Sequence, residues 1–140
     1  MVRQLAYISS SWQQDITDFV DDTLPRIQEN NSEAGVTGIL LFCHGSFFQV
    51  LEGEDAVLEA LFRKICKSRR HRNVLKMLDR EQAVRSFPDW SMGWQHIADD
   101  HPLAPELKRL GSIDGVKEQM QHDSITLIRL IESYFVVNSR

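Results

Sequence analysis

Gln49 sits in the middle of an otherwise apolar run, Phe47-Phe48-Gln49-Val50-Leu51, followed by Glu52 and Gly53. A buried primary amide must find partners for two N–H donors and two lone pairs, and an unmade end costs about 1 to 3 kcal/mol. Neighbouring backbone satisfies most lone core glutamines. Tyr7 is the second candidate: a phenol both donates and accepts, which makes it a natural partner for a buried amide. A third group is basic. Lys64, Lys67, Arg69, Arg70 and His71 close a helical stretch, where they complement the negative end of the helix dipole. No nucleophile stands beside a base. Cys43 and Cys66 lie in apolar segments and read as core thiols rather than as a disulfide or zinc framework.

The elements that must position these groups can be read from periodicity. Arg3 to Ser9 alternates apolar and polar residues over strand length and should end near Ser10-Ser11. Ile16, Phe19, Val20, Leu24 and Ile27 recur at helical spacing, with Asp15 or Asp18 available as the N-cap and an end near Asn30-Asn31. Pro25 should kink that helix or divide it. Val36 to Cys43 and Phe47 to Glu52, joined by His44-Gly45-Ser46, form a hairpin that is apolar on both faces, so both faces need cover. A second helix starts at the acidic Glu54-Asp55 pair and buries Val57, Leu58, Leu61, Phe62 and Ile65. Val74 to Asp79 and Ser91 to Ile97 read as the fourth and fifth strands, with a turn at Pro88-Asp89 between them. Near the C-terminus Leu127, Ile128, Ile131, Tyr134 and Phe135 form a helical stripe suited to the open sheet face.

The order strand, helix, strand, strand, helix, strand, strand predicts an α+β, ferredoxin-like sandwich: a five-stranded mixed sheet, two helices on one face and C-terminal helices on the other. In that topology the first and third strands are neighbours, which places Tyr7 beside Gln49 under the two helices. The 140 residues, 42% hydrophobic and 26% charged, suit one core. Residues 1–98 are expected to form it and residues 99–140 a helical extension packed on the sheet. A net charge of -4 without charge blocks disfavours nucleic acid. There is no leader pattern and no apolar run of bilayer length, which points to a soluble, cytoplasmic protein with no membrane partner.

Several motifs occur in order: Tyr7-Ile8-Ser9; Asn30-Asn31 before Gly35-Val36-Thr37-Gly38; Phe48-Gln49-Val50-Leu51-Glu52-Gly53; Arg70-His71; and Phe87-Pro88-Asp89-Trp90-Ser91-Met92. With them the chain resembles a BLUF domain, a flavin-binding blue-light sensor, from about Gln4 to Ile97. The resemblance implies FAD, with FMN less favoured, held between the first two helices with its ring edge toward Tyr7 and Gln49. It implies that Asn31, with Asn30 a weaker candidate, binds the pyrimidine side of the ring, and that Lys64, Arg70 and His71 lie near the ribityl and phosphate portion. It further implies that Tyr7 gives an electron and a proton to the excited flavin, and that Gln49 relays the proton and ends in a different hydrogen-bonding state. Trp90 and Met92 would carry the signal along the fifth strand, placed in this family beside the first, although core packing alone also accounts for Trp90. Two positions depart from the pattern: Ser68 stands where many members have aspartate, and Trp94 puts an indole where smaller residues are common.

The implied protein is a photoreceptor rather than an enzyme, its output a change in binding to a downstream regulatory protein or to another copy of itself. Three other functions suit the same scaffold less well. An acylphosphatase-like enzyme needs an arginine in an anion-binding loop, which the Ser9-Ser10-Ser11 turn lacks. A flavin-free assembly domain leaves Tyr7, Gln49 and Asn31 unexplained. An RNA-binding sheet wants exposed aromatics in a basic field.

Overall fold

The computed structural model describes residues 1–11, 18–43, 45–68, 71–89, 91–96 and 125–138. Strand β1 (Val2–Ser11) is followed by a π-helical turn (Phe19–Thr23) that runs into helix α1 (Leu24–Ala34). The hairpin is β2 (Thr37–Cys43) and β3 (Ser46–Gly53). Helix α2 (Asp55–Lys67), β4 (His71–Gln82), β5 (Gly93–His96) and helix α3 (Ile125–Asn138) complete the described elements. The sheet order is β4-β1-β3-β2-β5, antiparallel except where β5 runs parallel to β2. This is an α+β, ferredoxin-like arrangement.

Alternation along the central strands divides the apolar residues into two cores. Leu5, Tyr7, Leu40, Phe42, Phe47 and Leu51 face α1 and α2, where Leu24 and Leu58 meet them. Ala6, Ile39, Leu41, Phe48 and Val50 face the other way and meet Phe87 together with Leu127 and Ile131 of α3. Each fully buried Phe or Leu contributes about 1.5 to 3 kcal/mol, so a hairpin apolar on both faces is stable only when both are covered.

Three local readings are corrected and one open alternative is decided. Helix α1 continues past Asn30-Asn31 to Ala34 and ends at Gly35, whose φ of 71° is the left-handed value a helix C-terminus favours. Asn31 is buried by a tertiary contact and is not a stop signal. Pro25 divides the first helical region: it occupies the first turn of α1, where its missing N–H costs nothing. Asp18 precedes the π-helical turn with helical backbone and makes no side-chain cap, while Asp15 lies outside the described residues. Cys66 is exposed, at the margin of the α2 stripe, and is not a core thiol.

The fifth strand is also displaced from expectation. Both edges of β1 are taken, by β3 on one side and by the long β4 on the other, so β5 joins the free edge of β2, with Ile39 opposite Gly93. Pairing begins at Gly93, which leaves the Ser91 and Met92 carbonyls to turn toward α1. Strand β4 reaches well beyond Val74 to Asp79 and follows β1 through two register shifts, near which Asn73 takes a positive φ of 55°.

Arg3 ties α2 to the sheet edge. Its guanidinium grips Asp79 with two N–H···O bonds of 2.7 Å and reaches Asp55 at 2.9 Å and Glu59 at 2.7 Å. The hydrogen bond from Arg3 holds the Asp79 carboxyl down at about 2. A folded-state pKa below the unfolded value near 3.9 gives stability that is present above about pH 4 and lost as the pH falls toward 2. Arg3→Met is expected to lower stability by about 1 kcal/mol at neutral pH and to flatten the acid limb. Urea denaturation of both proteins between pH 2.5 and 7 checks it; parallel acid limbs would remove Asp79 as the cause.

Candidate functional site

Register places Tyr7 directly opposite Gln49 on β1 and β3, and Gln49 opposite Leu40 on β2. Both polar side chains are buried on the helix-covered face, Tyr7 completely. The Tyr7 hydroxyl donates to Gln49 Oε1, and Gln49 Nε2 donates to the Met92 thioether at 3.3 Å. The Gln49 amide thus accepts at one end and donates at the other, with a soft, weak acceptor on the donating side. Exchanging its two ends would reverse both contacts with almost no change in volume. Burial pushes the Tyr7 phenol pKa well above its ordinary value, with nearby Cys66 adding a smaller contribution, so the hydroxyl stays protonated. The Phe62 ring of α2 lies 5.7 Å from the Tyr7 ring and carries Lys76 Nζ over its face at 5.2 Å.

Helix α1 supplies a second polar pair. Gln28 and Asn31, three positions apart and hence on one face, donate to two successive carbonyls: Asn31 Nδ2 to Ser91 O and Gln28 Nε2 to Met92 O, each at 3.0 Å. These bonds fix the segment that presents Met92 to Gln49. Asn30 points away and is exposed.

Between α1 and α2 lies a cavity of about 260 Å³. Its floor is Leu40 and Gln49, its α1 side Phe19, Ile27 and Asn31, and its α2 side Leu61, Lys64, Ile65 and Ser68. Apolar walls with two carboxamides and a lysine among the lining residues suit a flat, largely apolar ring bearing a polar edge and an anionic tail. Lys64 therefore borders the cavity, whereas Asn30 does not. His71 opens β4, but its side chain, like Arg70 and Trp90, lies outside the described residues; Trp94 is placed only by its backbone in β5. Sequence reasoning missed Gln28, although its spacing from Asn31 was a usable signal. It also missed Glu52, which shares the parity of Phe48 and Val50 and is fully buried. Among the described residues no group of side chains could hold a metal ion, and no helix is long and apolar enough to cross a membrane.

Residues 2–93 match the family described as BLUF, sensors of blue-light using FAD. The chain belongs to the BLUF family. The match takes in Tyr7, Asn31, Gln49, Lys64 and Met92, and the BLUF cofactor, FAD, has the polar-edged ring and anionic tail that the cavity suits. The chain is 31% identical over 111 residues to photoactivated adenylate cyclase subunit alpha of Euglena gracilis, covering 78% of this chain and 11% of that protein. It is 31% identical over 87 residues to the blue light- and temperature-regulated antirepressor BluF of Escherichia coli K12, covering 62% and 22%. The chain thus spans a small part of the length of these two relatives. The dark-state structure of BlrB, a BLUF protein, superimposes with a TM-score of 0.68 at 28% identity, covering 95% of this chain and 96% of that one.

Proposed function

We propose that this BLUF chain is a blue-light photoreceptor whose switch is the hydrogen-bonded row Tyr7–Gln49–Met92, which meets the cavity at Gln49. That row is the observation that carries the reading: it joins a protonated phenol, a reversible amide and a thioether in one buried line. FAD, when bound, supplies blue-light absorption and an excited state that accepts an electron. With FAD bound, Tyr7 would give an electron to the excited cofactor and its hydroxyl proton to Gln49 Oε1, and both would return to Tyr7 as Gln49 settles. Gln49 relays the proton and settles with its donor and acceptor ends altered, which changes what Met92 Sδ and the ring edge receive. Asn31, which lines the cavity, would hold the pyrimidine side of the ring. Lys64, with Arg70 and His71, neutralises the phosphates at a helix end whose own dipole is negative. FAD is preferred to FMN because the family description names FAD and the sequence offers Arg70 and His71 besides Lys64 for a second phosphate.

Output runs from the switch toward α3. Phe48 and Val50 flank Gln49 and lie in the same core as Leu127 and Ile131. A strain at Gln49 therefore reaches α3 through its two sequence neighbours. Residues 1–98 act as the sensing unit and 99–140 as the output extension, which alters binding to a downstream regulatory protein or to a second copy of the chain. Trp90, two positions before Met92 in the sequence, shares in carrying the signal, as the family resemblance implies. The names of the antirepressor and the photoactivated cyclase support light control of a partner activity.

The decisive experiment is absorption spectroscopy of the purified chain loaded with FAD. Blue light is expected to shift the flavin bands to longer wavelength and darkness to restore them. Hydrogen exchange is expected to change with light in residues 125–138. An unaltered spectrum would sink the sensor; an unaltered exchange pattern would sink the output path alone.

A further inference from the structure

Glu52 is a buried carboxylate on the sheet face opposite the cavity. It is 0% exposed and accepts from four N–H donors. Oε2 takes Gln82 Nε2 at 2.7 Å, the Ser86 amide at 2.8 Å and Gln4 Nε2 at 3.0 Å, and Oε1 takes the Phe87 amide at 2.7 Å. Three strands and the crossover from β4 to β5 meet here. Gln4 is the register partner of Glu52 on β1, Gln82 ends β4, and Ser86 and Phe87 lie in the crossover. Arg85 reinforces the joint by donating to the Glu52 carbonyl at 3.3 Å and to Thr37 Oγ1 at 2.9 Å.

The crossover has to travel from one edge of the sheet, β4, to the other, β5. Phe87 belongs to the core on the α3 side, whereas Met92, five positions on, belongs to the core on the helix-covered side. Between Phe87 and Met92 the chain therefore changes from one core to the other. This stretch is fixed at both ends, by Glu52 at Ser86-Phe87 and by Gln28 and Asn31 at Ser91-Met92. With only a few residues between the anchors, a slip at the first moves the second.

We infer that Glu52 is a positioning residue for the photochemical switch: by holding Ser86-Phe87 it sets where the Met92 thioether meets the Gln49 amide. A carboxylate is the group the joint requires. Both of its oxygens accept, and all four neighbours donate. A carboxamide has one oxygen, so it would turn an NH2 toward Phe87 or toward the other three donors. The crossover would be released at that point although side-chain size is unchanged.

The inference rests on the sensor reading only for its kinetic arm, so the test has two arms on the full chain loaded with FAD. In the first, the 13C methyl resonance of Met92 is compared in the parent and in Glu52→Gln, in darkness. In the second, dark recovery of the flavin spectrum is measured in the parent, Glu52→Gln, Met92→Leu and the double variant. Expected are a shifted or split Met92 signal, a change in recovery rate of about threefold or more, and clear non-additivity with Met92→Leu. An unchanged Met92 signal overturns the inference, and so does a recovery effect that simply multiplies with that of Met92→Leu, since loosened packing alone would act independently. If the parent itself shows no light response, the sensor reading fails, and the Met92 signal decides the positioning role by itself. Gln82→Met removes one donor and leaves the carboxylate; it should shift the Met92 signal in the same direction by less, and it supplies both arms if Glu52→Gln does not fold.

Discussion

Gln49→Leu is expected to abolish the light-driven spectral shift while flavin still binds, and Tyr7→Phe to do the same from the other side of the bond. Leucine fills nearly the same space, so cavity shape survives. What is lost is the acceptor for the Tyr7 hydroxyl and the donor to Met92 Sδ. A fully buried phenol without a partner costs about 1 to 3 kcal/mol, and so does a buried amide oxygen left facing a phenylalanine. The double variant removes both partners at once. It should therefore be less destabilised than the two single variants summed, a sign that separates a real buried bond from two unrelated packing losses. The pH dependence has a definite direction. The folded-state pKa of Tyr7 is raised above the unfolded value near 10, so its contribution is complete below about pH 10 and is lost as the pH rises further. The photoresponse should stay level from pH 6 to 10, and parent stability should fall above pH 10 more steeply than that of Tyr7→Phe. Spectroscopy under illumination and urea denaturation at pH 8 and 11 read these outcomes; a Gln49→Leu protein that still shifts would remove the amide from the switch.

The features legible in the sequence are those written in short-range periodicity. The doubly apolar hairpin required cover on both faces, and the odd positions 47, 49 and 51 had to share a face; the structure puts them toward α1 and α2. The neighbouring of β1 and β3, which brings Tyr7 to Gln49, followed from the element order. Features that depend on a distant partner were not legible. Asn31 resembles a helix stop until Ser91 O, sixty positions away, accepts its amide. The place of β5 depends on which strand edges remain free, a property of the finished sheet and not of residues 93–96. Glu52 looks like the polar end of a strand, and only the return of Ser86-Phe87 beneath the sheet turns it into a buried anchor.

Gly38→Ala should produce the largest loss of stability in the chain, about 3 to 5 kcal/mol, because its clash is with backbone. Gly38 pairs with Leu51 in the hairpin and has a φ of 153°, a value side chains other than hydrogen rarely accept. A methyl group there would run into the Val50 carbonyl oxygen and stand 2.8 Å from its carbon. No rotamer change relieves that contact, so β2 must move away from β3. The displacement would reach the site by two routes, since Leu40 of β2 faces Gln49 and Ile39 pairs with Gly93, next to Met92. Two other glycines give the contrast. At Gly53 the nearest atom to an added methyl is 3.4 Å away, and Gly53→Ala should cost within about 1 kcal/mol. At Gly35 space is open but φ is 71°, so Gly35→Ala should cost about 1 to 2 kcal/mol from the left-handed backbone alone. Denaturant melts of the three variants, read beside their flavin content, test the order. If Gly53→Ala proved as damaging as Gly38→Ala, the close approach of β2 to β3 would not be what fixes the floor of the cavity.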